Sequence, residues 1–336
     1  MWHIGIDLHR RMLVMAAVKD DGEVIDPRRI DCQDTAKILE AVEQLKPFRA
    51  VIEATGTYRW LYDLLSPHGS VLLAHPLRLR AMVQRRAKTD KLDAQLLANL
   101  LRIDQIPLSY VPPKNYQQLR DLTRCRARLA RGQAKAKINL RALLARQNLT
   151  APYKVPFGPR GLAWFRKQDF GPIENLVRDQ LLSQLEHYAE HMAVFDEQLD
   201  EARKDVPQAE ALLEIYGIGV FSALLIIAEL GEVKRFRTAK QVGAYAGLTS
   251  RVHQSGSHCY YGSITHEGSS WLRWVLVQAA MHVIRSDVAL RNFHTRIRKR
   301  SSAKIARVAT ARKLAEICWK RLRRWDKQHQ GEGEEQ

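Results

Sequence analysis

The chain has 336 residues, of which 46% are hydrophobic, and this is enough apolar material for two or three packed domains. Its 54 Lys and Arg residues outnumber 36 Asp and Glu residues, so the formal charge at pH 7 is +18. Such an excess predicts a polyanionic partner, with nucleic acid as the first candidate. The most apolar stretch, 212–230, is interrupted by two glycines and by Glu214 and Glu229, which excludes a membrane span on sequence grounds.

The N-terminus and the cysteines indicate the compartment. Asp7, His9 and two arginines interrupt any apolar run near the start, so a secretory signal peptide is not predicted. The four cysteines are far apart and form no C-x-x-C pair, which favours reduced thiols over disulfides. A zinc site has one candidate without recognised ligand spacing, formed by His253, His258, Cys259 and His266. We therefore expect a cytoplasmic, nucleoid-associated protein with no membrane partner.

Residues 1–105 alternate β-branched runs with amphipathic stretches, which indicates an α/β domain. Five runs predict strands: IGIDLH, LVMAAVK, GEVID, RAVIEA and SVLLAH. Three stretches predict helices: TAKILEAVEQLK, RWLYDLLSPHG and residues 90–101. Three closely spaced strands followed by strand–helix alternation imply a mixed sheet covered by helices. This order is typical of an RNase H-like fold.

A strongly basic helix is predicted after the prolines at 107, 112 and 113. Its basic side chains are accompanied by Asp121 as the one acid, and they are Lys114, Arg120, Arg124, Arg126, Arg128, Arg131, Lys135, Lys137, Arg141 and Arg146. Such a helix would repel itself without a polyanion alongside. The alternative is a solvated face, but the acids that usually alternate on such a face are missing.

A second predicted helix, beyond a Pro- and Gly-containing loop at 150–165, has the opposite charge. Between residues 169 and 214, twelve acids outnumber three basic residues. Apolar residues spaced alternately by four and three form a heptad seam: Leu181, Leu185, Tyr188, Met192, Phe195, Leu199, Ala202 and Val206. This pattern predicts a coiled coil within a helical region spanning 114–208. Its partner is either a second copy of the chain or the basic helix, which opposite charge favours.

Residues 209–328 are predicted to form a mostly helical C-terminal domain. The stretch 212–231 reads as a helix, a Gly217-x-Gly219 turn and an apolar helix, which together form a helix-hairpin-helix-like element. Such a turn presents backbone N–H groups to a DNA phosphate, or it simply allows close packing of the two helices. The segment 235–276 is rich in Gly and Ser until a helix resumes near Ser270. A second basic run follows over 291–327, and the tail 329–336 is predicted to be disordered.

Nucleic-acid contacts are accordingly predicted for the two basic runs, the glycine turn and one arginine between them. The residues are Arg124, Arg128, Arg131, Lys135, Gly217, Gly219, Arg251, Arg298 and Lys304.

Four carboxylates are candidates for a metal site. Asp7 and Glu53 lie in predicted apolar strands, where an unpaired charge is costly. Asp90 and Asp93 are three residues apart at a helix start, so both project to nearly the same side. Acids also occur at helix starts because the helix dipole favours them. Taken together, the four predict a site for two Mg²⁺ ions about 4 Å apart, or Mn²⁺, as used in phosphoryl transfer.

At these residues the sequence resembles the DEDD insertion-sequence transposases of the IS110 type, which are related to the Piv-type DNA invertases. The matching strings are GIDLH, IEATGTY, KTDKLDA, YGIGVFSA and AYAGLTSRVHQSGSHCYYGSIT, in the family's order over most of the chain. One departure is Tyr216, where many relatives have proline before the Gly-Ile-Gly turn.

The resemblance implies a RuvC-like catalytic domain over 1–105 and a C-terminal transposase domain with a catalytic serine. On that match the serine is Ser255; from the residues alone it would be read as a loop residue beside glycine. The resemblance also implies DNA strand exchange through junction-like intermediates, by dimers that assemble into tetramers. A structured RNA encoded by the element is implied as the guide to double-stranded donor and target DNA.

The leading hypothesis is therefore an insertion-sequence transposase in which Asp7, Glu53, Asp90, Asp93 and Ser255 are catalytic. In this reading Ser255 Oγ attacks a DNA phosphodiester while metal ions stabilise the transition state. The pairing of serine and metal site could be made within one chain or between chains. A metal-dependent nuclease resembling a Holliday-junction resolvase would need the same carboxylates but no serine. A nucleic-acid-binding protein with a decayed catalytic domain would need only the basic helices, and the intact carboxylate set argues against it.

Overall fold

The computed structural model describes residues 1–82, 89–255 and 258–329, without the side chains of residues 253, 255, 258, 259 and 261. The chain forms two compact units, Met1–Val111 and Pro112–Gln336. The prolines at 112 and 113, which precede the predicted basic helix, coincide with this boundary. The predicted helical region and C-terminal domain both fall in the second unit.

The first unit is built on a six-stranded mixed sheet of order β3-β2-β1-β4-β5-β6. Its strands are β1 (Trp2–Leu8), β2 (Met12–Lys19), β3 (Val24–Asp31), β4 (Phe48–Glu53), β5 (Ser70–Ala74) and β6 (Leu108–Ser109). The first three form an antiparallel meander, β4 and β5 run parallel to β1, and β6 is antiparallel to β5. The predicted mixed sheet is thus confirmed, and the strand predicted at GEVID begins at Val24 and continues to Asp31.

Helices cover both faces of this sheet. They are α1 (Thr35–Glu43), α2 (Tyr58–Leu65), α3 (Pro76–Met82) and α4 (Asp90–Arg102). Ile4, Ile6 and Leu8 of β1 belong to the core beneath α1 and α2. Because strand side chains alternate between faces, Gly5 and Asp7 point to the opposite face, where Ala94 and Leu97 of α4 pack.

Gly5 determines how closely α4 approaches β1. A Cβ at this position would lie 2.1 Å from the Ala94 carbonyl oxygen and 2.4 Å from the Ala98 nitrogen. The obstruction is backbone, which a rotamer change cannot clear. Absence of a side chain at Gly5 therefore lets the helix that carries Asp90 and Asp93 lie directly on the strand that carries Asp7.

Gly5→Ala should destabilise the first unit by about 3 kcal/mol, because it overpacks a backbone contact. We expect the amides of residues 1–82 to lose their protection from hydrogen exchange at a lower urea concentration than in the wild type. Gly56→Ala is the matched control, since a Cβ there meets nothing within 4 Å. Equal stability of the two variants would contradict the close-approach role of Gly5.

The second unit begins with an antiparallel helical hairpin. Its two long helices are α5 (Lys114–Arg146) and α7 (Pro172–Lys204), and the short helix α6 (Pro159–Lys167) lies between them in the chain. Leu140, Leu143 and Leu144 of α5 share a buried cluster with Leu181 and Leu185 of α7. Along the same pair of helices, the position of Gly132 meets Tyr188 and Arg126 meets Asp196, which fixes the antiparallel register. Of the two partners left open for the acidic helix, the structure pairs it with the basic helix of the same chain.

The rest of the unit is mostly helical, as predicted. It comprises α8 (Glu210–Leu213), α9 (Val220–Leu230), α10 (Ala239–Tyr245), β7 (Ser250–Ser255), β8 (His258–Ile264), α11 (Ser270–Val283), α12 (Val288–Arg300) and α13 (Ala303–Gln328). Short 3-10 turns lie at Pro207–Ala209 and Val233–Arg235. The core of this unit is centred on the apolar helix α9. Of the tail predicted from residue 329, His329 caps α13, and 330–336 lie outside the described residues.

Candidate active site

Two of the predicted carboxylates lie where neighbouring parallel strands end. The last pair in the register of β1 with β4 is Ile6 with Ile52, so Asp7 and Glu53 are the next residue on each strand. Adjacent strands are about 4.8 Å apart. Asp7 and Glu53 therefore lie at one edge of the sheet, and alternation places both on the face covered by α4.

The other two carboxylates lie in the first turn of α4. Thr89 caps this helix, since its hydroxyl accepts from the Leu92 amide at 3.3 Å and its carbonyl accepts from the Asp93 amide at 2.9 Å. The positive end of the helix dipole favours acids at Asp90 and Asp93. The cap explains why the helix begins at this point, and Gly5 explains why this end lies over β1.

A histidine connects Asp7 to Asp90. His9 Nε2 lies 3.2 Å from Asp7 Oδ2 and 3.4 Å from Asp90 Oδ1. One ligand atom from each of the three residues falls within 4.8 Å of the others. The structure thus brings together a nitrogen donor and two carboxylates at the edge of the sheet.

The pKa of Asp7 shows the electrostatic character of this cluster. Burial raises this pKa above its ordinary value, and the charges of Asp90 and Asp93 raise it further, while His9 opposes them. The Asp7 side chain is 14% exposed, whereas Asp90 is 46% exposed. Negative charge is therefore held at Asp7 at a free-energy cost, which a bound cation would relieve.

His9 was not predicted as a site residue, although the sequence contains a signal for it. Residues two apart on a strand face the same way, so Asp7 at the end of β1 predicts that His9 points beside it. The turn after β1 preserves this direction, because the His9 amide donates to the Met12 carbonyl at 3.0 Å. The buried Cys32 thiol also donates to the His9 carbonyl at 3.6 Å.

The four predicted carboxylates lie at one edge of the sheet, but they are not equally close to one another. Asp7 and Asp90 share the compact cluster, and Asp93 is near enough for its charge to raise the pKa of Asp7. Glu53 is one strand away and is not part of the compact group among the described residues. The carboxylates of this donor set suit Mg²⁺ or Mn²⁺.

The serine identified by resemblance lies in a β-hairpin that sequence analysis did not predict. Strands β7 and β8 pair antiparallel, and Ser255 is the last residue of β7, opposite His258. The Ser255 side chain lies outside the described residues, as do those of His253, His258 and Cys259 of the zinc candidate. The register places Ser255 at the end of the paired part of the hairpin.

Several residues of the basic helix have partners inside the protein. Arg124 donates to both carboxylate oxygens of Glu229, at 2.7 and 3.0 Å, and Arg126 donates to both of Asp196, at 2.9 and 3.0 Å. Folding therefore supplies acids from α7 and α9 to two of the ten basic side chains, which lowers the self-repulsion predicted for this helix. Arg124, which was predicted to bind nucleic acid, forms an ion pair with Glu229 inside the protein.

The remaining predicted basic contacts of α5 form an exposed stripe. Arg128, Arg131 and Lys135 are spaced by three and four residues, so they share one helix face, and all three are exposed. Two of them lie over Trp271 of α11, with guanidinium carbons 5.7 Å (Arg128) and 3.9 Å (Arg131) from the ring centroid. The stripe remains a candidate surface for a phosphate backbone.

The glycine turn borders a cavity. Gly217 has a φ of +87°, which favours glycine, and Gly219 is the N-cap of α9. The cavity, of about 470 Å³, is lined by Gly217, Ile218, Gly219, Ser222, Gln278, Ala279 and His282. The predicted helix before the turn is a single turn, α8. Farther along the chain Arg251, Arg298 and Lys304 are exposed, the last two on either side of the turn between α12 and α13.

Comparison with known proteins identifies the class. A family model described as "Transposase" and named for the DEDD transposases of IS110 matches residues 4–148. A second, the transposase IS116/IS110/IS902 family, matches residues 209–295. Both matched regions thus resemble transposases, and the chain is a DNA-recombining enzyme of a class that depends on divalent metal.

Curated relatives match most of the chain. A probable family 20 transposase of Pseudomonas aeruginosa is 27% identical over 96% of this chain and 96% of its own length. The transposase for insertion sequence element IS1111A of Coxiella burnetii is 25% identical over 96% and 89%. A pilin gene-inverting protein of Moraxella bovis is 27% identical over 69% and 66%. The chain belongs to the IS110 family of insertion-sequence transposases. Among the helices that the structure describes, none is both long and apolar enough to cross a membrane.

Proposed function

We propose that this transposase cuts and rejoins DNA with Ser255 as the nucleophile, at a phosphodiester held by metal ions bound to Asp7, Asp90, Asp93 and Glu53. The observation that carries the proposal is the cluster of Asp7, His9 and Asp90 at the end of β1. The nearby charge of Asp93 adds to the negative potential at Asp7. The mixed sheet of the first unit, with carboxylates at two strand ends and at the start of α4, supports the proposal of an RNase H/RuvC-like domain. The serine is carried over from the family's motif.

In this proposal the four carboxylates bind two cations between them. Asp7 and Asp90 are close enough to share one ion. Asp93, whose charge acts on Asp7, and Glu53, at the end of the neighbouring strand, would supply the ligands of a second. Mg²⁺ bound there would polarise the phosphate oxygens and stabilise charge on the leaving oxygen. His9 is placed to accept or donate a proton beside Asp7, and its contacts to Asp7 and Asp90 fix its ring.

The chemistry of Ser255 conserves the energy of the broken bond. Its Oγ attacks the phosphorus, the P–O bond to one deoxyribose breaks, and the hydroxyl proton passes to the departing oxygen. A phosphoserine diester joins protein to DNA. Attack on this diester by a hydroxyl at a second DNA end reverses the step and releases the serine, so rejoining needs no nucleotide cofactor.

The basic surfaces serve nucleic-acid binding in this proposal. The stripe of Arg128, Arg131 and Lys135 and the turn with Arg298 and Lys304 would contact phosphates of double-stranded element ends and target. A structured guide RNA encoded by the element would use the same chemistry. The serine and the carboxylates lie in separate units, so we propose that dimers assembling into tetramers bring them to one phosphodiester.

The test is direct identification of the covalent link. Purified protein with its copurifying RNA is incubated with labelled element-end DNA and Mg²⁺, digested with nuclease and trypsin, and analysed by mass spectrometry. We expect a nucleotide on the tryptic peptide 252–273, located at Ser255 by fragmentation. Free cut ends without a nucleotide on any serine would instead indicate a metal-dependent nuclease. Sequencing the copurified RNA tests the guide.

A further inference from the structure

Glu229 is a carboxylate buried within the most apolar helix of the chain. Its side chain is 1% exposed, and it receives Arg124 at both oxygens. The Ser269 hydroxyl also donates to its Oε2 at 2.7 Å. An ionised acid this deep persists only when donors surround it, and here they come from α5 and from the start of α11.

The backbone of Glu229 joins further elements. Its carbonyl oxygen accepts from Arg120 at 2.9 Å and from the Tyr245 hydroxyl at 3.1 Å. Tyr245 is the last residue of α10, and Ser269 is the N-cap of α11. We call Arg124, Glu229, Tyr245 and Ser269 the Glu229 clasp.

Tyr245 and Ser269 are the two ends of the segment that contains the β7–β8 hairpin. The Ser269 amide donates to the Tyr245 carbonyl at 3.2 Å, so the ends are in backbone contact. Two glycines allow this closeness. A Cβ at Gly268 would lie 1.9 Å from the Tyr245 oxygen, and one at Gly247 would lie 2.3 Å from the Glu267 oxygen. Both stems of the hairpin are thus fixed at one point, and Glu229 lies at that point.

We propose that Glu229 is a positioning residue, which holds the base of the hairpin that carries Ser255 and ties it to the basic face of α5. The catalytic part of this inference rests on the proposed role of Ser255. Arg128 follows Arg124 by one helical turn and lies over Trp271, two residues after Ser269. The clasp therefore connects a surface suited to a phosphate backbone with the element that presents the nucleophile.

Burial of an ion pair is a poor means of stabilising a core, because apolar residues of similar volume do as well or better. Arg126 and Asp196 show the contrast on the same helix. Their pair has the same two-pronged geometry, but it is partly exposed and joins α5 to α7, away from the hairpin. The buried pair, in contrast, contacts both ends of the β7–β8 segment through Tyr245 and Ser269, as a positioning role for Glu229 requires.

The test removes the hairpin side of the clasp and leaves Glu229 and Arg124 paired. The variant is Ser269→Ala combined with Tyr245→Phe, with Tyr245→Phe alone as the milder form should the double variant fail to fold. Ser302→Ala is the first control, since Ser302 caps α13 with the same hydrogen bond, to the Ile305 amide, and does not contact Glu229. Asp196→Asn is the second control, because it weakens the other ion pair of α5.

Three quantities are measured in the full chain: amide exchange in residues 247–252 and 262–268, the single-turnover rate of DNA cleavage at saturating protein, and the Kd for DNA. In the clasp variant we expect exchange in both stems to be about tenfold faster and cleavage about 10- to 100-fold slower, because small misplacement of a nucleophile is costly. The Kd should stay within about twofold of the wild type. Both controls should match the wild type in all three.

Unchanged exchange in the stems would overturn the proposal, as would equal slowing of cleavage in Ser302→Ala. Faster exchange with unchanged cleavage would overturn the positioning role if Ser255→Ala is inactive. If Ser255→Ala still cuts, the serine assignment fails separately. Exchange then decides the clasp alone, with faster exchange confined to the two stems supporting it.

Discussion

Asp7→Asn should abolish strand cleavage and, at the same time, make the metal-free protein harder to unfold. Cleavage is expected to fall on the order of 10³-fold or more, because a cation bound at this site, as proposed, would supply several kcal/mol of transition-state stabilisation. Amide in place of carboxylate removes the most enclosed oxygen ligand of the cluster. The isosteric change leaves packing beside Leu8 and Ile6 intact.

The stability gain follows from the sign of the pKa change. Burial and the charges of Asp90 and Asp93 raise the pKa of Asp7 in the folded state. Folding is therefore favoured while Asp7 is protonated, and this contribution is lost as pH rises through the folded-state pKa. At pH 7 the charge opposes folding, and Asn removes the charge. Thermal unfolding in EDTA from pH 4 to 8 should show the wild-type Tm falling relative to the Tm of the variant, so that the wild type has the lower Tm at pH 7.

Asp63→Asn provides the control, since Asp63 is an exposed carboxylate on α2, on the other face of the sheet. It should leave cleavage unchanged. If Asp7→Asn retained cleavage activity, Asp7 would not be a ligand of the catalytic metal. A lower Tm for Asp7→Asn in EDTA at pH 7 would show that the carboxylate stabilises the fold, contrary to the cluster's electrostatics.

Ser255→Ala should eliminate the protein-linked DNA band on a denaturing gel and reduce strand cleavage by about 10⁴-fold or more, as loss of a nucleophile does elsewhere. Binding to element-end DNA should not change, because one hydroxyl at the hairpin tip adds little to a contact dominated by phosphates. Gel shifts at fixed salt measure the binding, and quenched samples measure the cleavage.

Ser263→Ala is the matched control for this variant. Ser263 is an exposed serine on β8, the other strand of the same hairpin. It should form the protein-linked band at the wild-type rate. Free cut ends that persist in Ser255→Ala would assign the chemistry to water at the carboxylate site and favour the nuclease reading.

Local pattern was enough to predict most of the architecture. Alternating apolar residues predicted the first strands, and the heptad seam on α7 faces inward with Leu181, Leu185 and Leu199 buried. The hairpin of β7 and β8 was missed because its strands contain serines, histidines and a glycine, with few of the β-branched residues that mark a strand. For Asp7, Asp90 and Asp93, proximity depended on Gly5, whose role appears only when α4 lies on β1.

Pairs that are distant along the chain could not be predicted. Arg124 and Glu229 are 105 residues apart, and Arg126 and Asp196 are 70 apart. Neither pair leaves a periodic trace, so α5 looked uncompensated and Glu229 looked only like an interruption of an apolar run. Residues two apart on one strand do leave a trace, and His9 beside Asp7 could have been found by it.

Because α5 turns some of its arginines inward and others outward, salt acts on the helix in two ways. The Arg124 pair with the buried Glu229 is shielded from ions in solution, whereas Arg128, Arg131 and Lys135 are surrounded by them. Each outward basic residue that contacts a phosphate releases counterions from the nucleic acid, so the number released is smaller than the helix's total charge suggests. Rising ionic strength should thus detach the polyanion while leaving the helix anchored, which lets the transposase release its nucleic acid without unfolding.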